Sequence, residues 1–394
     1  MSNQASPTQT ASRLVLEGVP RVHFYEGGPR CPEDITLPSI MHAYLEYLGD
    51  EDFGCKHCQA KNPNCKIFCT YSFFMGITGA AAFLSWKKGW HEDNVAIFYM
   101  SDDPAAPERN AFTAAGYAHD WLEKQDNPQD EALFRQRIIE SLQKGRPVIS
   151  YGLIGPPEPC LITGYDEGGD VLIGWNFFQN FPEFNAGVEF EPSGQFRKRN
   201  WYPDTLSLLF VGEKIERPSY SDSYRTALKW LLKVALTPQV KPAPDAPEWY
   251  RERANGLAAY TAWAENLLQD EAFPAGDEAV LKAHFFAHNN NVGNLAEVRW
   301  YGSQFLVEAI NFLPYQMSED LLHAAAFYAG EHDLMYKIWD LAGGLGNEQA
   351  YTFMPDPSVR RQMADLLLQA RQKDAQAVDC IEQALTKDTG KASP

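Results

Sequence analysis

The sequence predicts an α+β protein, an antiparallel sheet with a few helices followed by a helical bundle, on three observations. Before residue 218, short apolar runs rich in Val, Ile and Phe are separated by Gly and Pro, as strands are. Two of these runs are joined by Asp166-Glu167-Gly168-Gly169, a hairpin signal that makes the sheet antiparallel. After residue 218 that texture gives way to Ala-rich amphipathic segments of helical period.

The predicted strands are Asn94 to Met100, Pro147 to Ile154, Cys160 to Tyr165, Val171 to Asn176 and Leu206 to Val211. Two helices precede them. Thr36 to Leu48 sets Leu37, Ile40, Met41, Tyr44, Leu45 and Leu48 at helical spacing, with Thr36 as N-cap, Pro38 in the first turn and Gly49 as the stop. Tyr71 to Trp86 forms the second, provided that something packs closely against Gly76 and Gly79. The predicted helices of the second half are Ser223 to Leu236, Glu248 to Gln269, Glu278 to Ala287, Leu295 to Phe312, Ser318 to Tyr328, Glu331 to Ala342 and Val359 to Leu385. A Pro-rich stretch, Thr237 to Pro247, reads as a stiff connector. The expected domains are residues 13–217 and a helical domain of residues 218–386, with disordered ends at 1–12 and 387–394.

With 34 Lys and Arg against 52 Asp and Glu, the net charge is −18, which disfavours nucleic acid and anionic membrane as partners. A small-molecule, acyl, peptide or protein partner is expected. No apolar run is long enough for a membrane span or signal peptide, so the expected location is cytoplasmic and the seven cysteines are expected to be reduced. Phosphate-binding glycine motifs and the serine-hydrolase Gly-x-Ser-x-Gly are missing, which argues against a nucleotide enzyme or serine hydrolase.

Cys31-Pro32-Glu33-Asp34-Ile35-Thr36-Leu37-Pro38 running to Gly49, the Phe74 to Gly79 stretch, and Gly155 to Asp166 followed by Val171 to Asn176 together resemble the butirosin biosynthesis protein H N-terminal domain family. More distantly they are similar to papain-like peptidases that cleave bacteriocin leaders. The resemblance covers roughly the first half of the chain. It implies a papain-like domain with a Cys nucleophile at a helix N-terminus, a His on the first hairpin strand, and an Asp or Asn on the second. Here the nucleophile position falls on Thr36, the His position on or near Glu158, and the orienting position on Asn176 or its neighbour Trp175.

The departures from that pattern leave three functions open. A rebuilt or lost site would leave a cleft lined by Thr36, Glu158, Trp175, Phe178 and Asn176, with Glu33 and Asp34 beside it, that binds a peptide, acyl chain or small metabolite. In it Glu158 acts as a fixed anion if it reaches the helix N–H groups at Thr36 and Leu37, the outcome favoured, or as a weak general acid or base of raised pKa if it is shut among Trp175, Phe177 and Phe178. An active cysteine amidase or acyltransferase would use Cys31 or Cys160, although Glu33 and Asp34 oppose a thiolate at Cys31. His23, His42 and His119 are the histidines within reach of such a site. A third function is an interaction module stapled by Zn2+, since Cys55, Cys58, Cys65 and Cys69 supply four soft ligands in 15 residues. His284 and His288, four apart, are expected on a solvated helix face, and Trp230, Trp249, Trp263, Trp300 and Trp339 as core anchors.

Overall fold

The computed structural model describes residues 12–27, 32–53, 69–125, 127, 129–241 and 253–388. In chain order the helices are α1 (Thr36–Tyr47), α2 (Thr70–Thr78), α3 (Ala106–Ala115), α4 (Asp130–Gln143), α5 (Tyr220–Leu236), α6 (Leu257–Leu267), α7 (Glu278–Ala309), α8 (Ser318–Leu341) and α9 (Pro357–Thr386). The strands are β1 (Leu14–Val15), β2 (Ser85–Lys87), β3 (Tyr117–Glu123), β4 (Val148–Tyr151), β5 (Pro159–Asp166), β6 (Val171–Trp175), β7 (Val188–Phe190), β8 (Phe196–Arg199), β9 (Ser207–Lys214) and β10 (Arg253–Asn255). The protein is α+β. The chain divides into two compact units, Met1–Gln59 with Gly116–Glu216, and Ala60–Ala115 with Arg217–Pro394. The third crossing lies beside the expected boundary at 217/218, whereas the placement of Ala60–Ala115 with the helical segments has no counterpart in the sequence reading. No helix among the described residues is long and apolar enough to cross a membrane.

The first unit holds an eight-stranded antiparallel sheet in the order β3-β9-β4-β5-β6-β8-β7, with β1 pairing to β5. Strand β5 pairs β4 through Ser150↔Cys160 and β6 through Leu161↔Trp175. Beyond the end of β4, β1 takes over that edge at Leu14↔Tyr165 and Val15↔Gly164. Gly164 permits this approach, because a Cβ there would lie 2.6 Å from the Leu14 carbonyl oxygen. Helix α1 packs on β5. Helix α4 lays Phe134, Ile138 and Leu142, spaced by four, into a core with Val148, Cys160 and Ile162. Its stripe is one residue wide in a polar segment, which is why periodicity did not announce it. Asp50, just past α1, accepts from the Tyr117 hydroxyl at 2.7 Å and pairs with Lys214, tying the helix end to β3 and β9.

The second unit is built on α7, α8 and α9, with β2 and β10 as a two-stranded ladder. Residues 94–100, expected as a strand, instead form two 3-10 turns, Glu92–Val95 and Ile97–Met100. The Asn94 side chain fixes that course by accepting from Lys87 N and Arg253 Nη1. Helix α2 is shorter than expected because Gly79, at φ 92°, ends it in a left-handed cap. Gly76 does meet a close neighbour, since a Cβ there would fall 2.3 Å from the Phe305 ring. The four expected segments between Glu278 and Ala342 fuse into two helices, α7 running unbroken through Asn289, Asn290 and Gly293. At the ends, the Ser12 carbonyl accepts from Gly168 N and Lys387 pairs with Asp320.

At the centre of this unit Arg299 is wholly buried. Its guanidinium donates to Glu331 at 3.1 Å, to Asp374 at 2.7 Å, to the Tyr260 hydroxyl at 3.0 Å and to the Ala81 carbonyl at 2.6 Å. Burial, then the charge of Asp374, raises the Glu331 pKa, with the Arg299 guanidinium acting in the opposite sense. Replacing Arg299 by Met should cost about 3–5 kcal/mol in urea unfolding, since it strands a buried carboxylate. The triple variant Arg299→Met, Glu331→Leu, Asp374→Leu should recover most of that loss; a triple variant as unstable as the single one would show that lost packing, not unpaired charge, is the cause.

Candidate functional site

The site is built where α1 begins, where the β4–β5 loop ends and where β6 ends. Helix α1 is capped by the backbone of Ile35, with no side-chain cap, and Thr36 is its first helical residue rather than its N-cap. The Thr36 side chain is thereby left for another partner. Its Oγ1 donates to Glu158 Oε2 at 2.5 Å, across 122 residues of sequence. The Glu158 residue keeps some surface exposed, yet its carboxyl group is densely surrounded by protein. Burial pushes its pKa up to about 7, with the Thr36 hydroxyl pulling the other way. The expectation of a fixed anion held by helix N–H groups is therefore corrected: desolvation wins, and the carboxyl is poised between its two forms at neutral pH.

The wall beside it is aromatic. Phe24 meets Phe177 and Phe178 with ring centroids 5.1 Å from each, and Phe181 at 5.9 Å. Gly155, at φ 76°, lets the β4–β5 loop lie on Phe178, for a Cβ there would stand 2.9 Å from the Phe178 Cβ. Trp175 is buried at the end of β6 opposite Leu161. Asn176 acts as a latch. Its Nδ2 donates to the Ile154 carbonyl at 3.2 Å and its Oδ1 accepts from Phe178 N at 2.6 Å, which joins the β4–β5 loop to the β6 end. These bonds give it a structural task in place of the orienting one the resemblance implies.

The other candidates separate from this cluster. Cys160 is wholly buried in the core under α4. Burial raises its thiol to about 12, with the Asn176 and Ser150 side chains acting in the opposite sense, so it is not a thiolate at neutral pH. Glu33 is buried and bonded to His42 Nδ1 at 3.1 Å, with Glu46 4.0 Å from the other ring nitrogen. Asp34 accepts from Tyr25 N at 2.6 Å. Both acids serve the chain segment before α1. His119 lies elsewhere in the same unit, on a cavity of about 250 Å³ lined also by Arg137, Lys144 and Arg146. Cys31 lies outside the described residues, as do Cys55, Cys58 and Cys65 of the Cys-rich loop. Cys69 is described: its N–H, at the start of α2, donates to Glu308 Oε1 at 2.9 Å. No group of three metal-ligating side chains occurs among the described residues.

In the helical unit, His288 is buried rather than solvated and accepts from Trp263 Nε1 at 3.1 Å; burial lowers its pKa to about 3. His284 stacks on Trp90 and donates to the Ala272 carbonyl. Trp263 is a core anchor, whereas Trp300 is 42% exposed and Trp249 lies outside the described residues. Sequence reasoning missed Phe24 and Gly155, the first because it stands in an irregular segment, the second because only its contact with Phe178 reveals its task. Compared with models of protein families and with curated proteins, the chain matches none.

Two outcomes follow from these environments. Folding lifts the Glu158 pKa from 4.5 to about 7, so the folded state binds more protons between those values. Its contribution to stability is complete below 4.5 and is lost as the pH rises through about 7. Glu158→Gln should flatten that part of the urea stability profile, and an unchanged slope would remove the assignment. Iodoacetamide at neutral pH should leave Cys160 unmodified in the folded protein, as peptide mapping would show.

Proposed function

We propose that the first unit is a papain-like protein of acyl- or peptidyl-transfer lineage whose site is rebuilt around Thr36 and Glu158, and that it binds a peptide, acyl or small-metabolite ligand against Phe24, Phe177 and Phe178. The observation that carries this reading is the 2.5 Å hydrogen bond between Thr36 and Glu158. These are the residues on which the sequence resemblance sets the nucleophile and the base, and a helix start facing the entry of a hairpin strand is what such chemistry requires. The burial of Cys160 in the core supports a site that no longer depends on that thiol. In this reading Thr36 and Glu158 present a hydroxyl and a shared proton to a ligand carbonyl or amine, and the aromatic wall takes its apolar part.

A second reading, hydroxyl-dependent acyl transfer, is favoured by one observation, the rise of Glu158 to about 7. A carboxylate of that basicity accepts a hydroxyl proton far better than an ordinary one. Thr36 Oγ1 would attack an acyl carbonyl while Glu158 takes its proton and passes it to the departing alcohol, thiol or amine, leaving an ester on Thr36.

The two readings part under one experiment. Carboxyl NMR should show Glu158 titrating near 7, and Thr36→Val should move it higher, because the hydroxyl bond is the one influence that lowers it. Short N-acyl peptides and p-nitrophenyl acyl esters should shift the Glu158 and Phe178 signals, and Glu158→Gln should weaken that response. An acyl adduct on Thr36 in the intact mass, lost in Thr36→Val, selects transfer. Perturbation without an adduct selects binding alone. No perturbation by any of these probes would refute both.

A further inference from the structure

Helices α7 and α8 expose a strip of apolar side chains that repeats every seven residues. On α7 it comprises Phe286, Gly293, Trp300 and Val307, and on α8 Leu322, Ala329 and Tyr336. Seven residues are nearly two helical turns, so each set lies along one face. The five large members are between 42% and 46% exposed, in a chain of net charge −18 whose surface is otherwise rich in acids. Ring contacts knit the strip across the two helices. Trp300 stands 5.1 Å from His332, His332 4.9 Å from Tyr336, and Tyr336 5.0 Å from Trp339. His332 is fixed by a hydrogen bond of Nδ1 to the Ala296 carbonyl at 3.0 Å, and Trp339 by one to Asn289 at 2.8 Å. The side chains are thus held in place on the surface.

We propose that this strip is the surface through which two copies of the chain associate. The occupant is read from the order of large and small residues on α7. Two copies of α7 laid antiparallel about a twofold axis midway between Gly293 and Trp300 put Trp300 of one copy over Gly293 of the other, and Phe286 over Val307. An isologous contact demands such self-complementarity. Gly293 provides the room, since a Cβ there would touch only Trp339, at 3.9 Å. The size fits. From Phe286 to Val307 is about 30 Å at the helical rise, and two helices span about 20 Å, so each copy would bury roughly 600 Å² and the pair reaches the lower bound of stable interfaces. Glu297, the carboxylate nearest the axis on α7, is bonded to the Tyr71 hydroxyl at 2.5 Å.

Sedimentation equilibrium of the full chain at about 100 μM should give twice the 44.4 kDa chain mass. Trp300→Glu and Gly293→Glu should each return it to the single mass without changing circular dichroism, because both positions face solvent in the lone chain. Leu133→Glu, an exposed apolar residue on α4, should leave the dimer intact. A wild-type chain that sediments as a monomer overturns the proposal. So does a dimer that survives both strip substitutions, or one that Leu133→Glu dissolves equally.

Discussion

Strand β5 is hydrogen-bonded along both edges, and its register places the polar groups of the first unit. Pairing Cys160 with Ser150 and Leu161 with Trp175 leaves no freedom to slide, because a shift of one residue would turn Cys160 and Ile162 out of the core that α4 covers. Given that register, Glu158 must emerge just before the strand, and Asn176 must stand at the far end of β6. The helix packed on β5 then brings Thr36 to the Glu158 carboxyl. Pro156, Pro157 and Pro159 stiffen the entry, and Asn176 clamps it to Phe178.

Two of the carboxyl groups that burial raises, Glu331 and Glu158, have different surroundings. Glu331 is raised by burial, then by the charge of Asp374, and its Oε2 accepts from Arg299 and the Tyr260 hydroxyl in a network of several polar side chains. Glu158 is raised by burial with a single hydroxyl for company and retains some exposed surface. A network of paired charges stabilises a packing, whereas a raised carboxyl with one hydroxyl partner is a candidate for chemistry. That contrast directs the functional reading to Thr36 and Glu158 rather than to the larger buried cluster.

Cysteine, the residue the resemblance makes central, has a different place in this chain. Cys160 is a core side chain whose thiol is silenced by burial, and the catalytic role weighed for it in the sequence has no support in its surroundings. Thr36 and Glu158, on which the resemblance sets the nucleophile and the base, are each other's hydrogen-bond partner.

By itself the sequence determined the α+β class, helix α1, the hairpin of β5 and β6 and the helical second half, because these depend on local period, on Gly at the turn and on apolar runs. The resemblance, rather than period or composition, marked Thr36, Glu158 and Asn176. Tertiary structure decided the rest. It ended α2 at Gly79, bent residues 92–100 into 3-10 turns around the Asn94 amide, and carried α7 through four asparagines and two glycines that break a propensity argument. It decided that Thr36 bonds across the unit instead of capping its own helix, and that desolvation outweighs the Thr36 hydroxyl at Glu158. Period and turn chemistry act over a few residues and can be read along the chain, whereas burial and long-range hydrogen bonds depend on groups brought together from across the sequence.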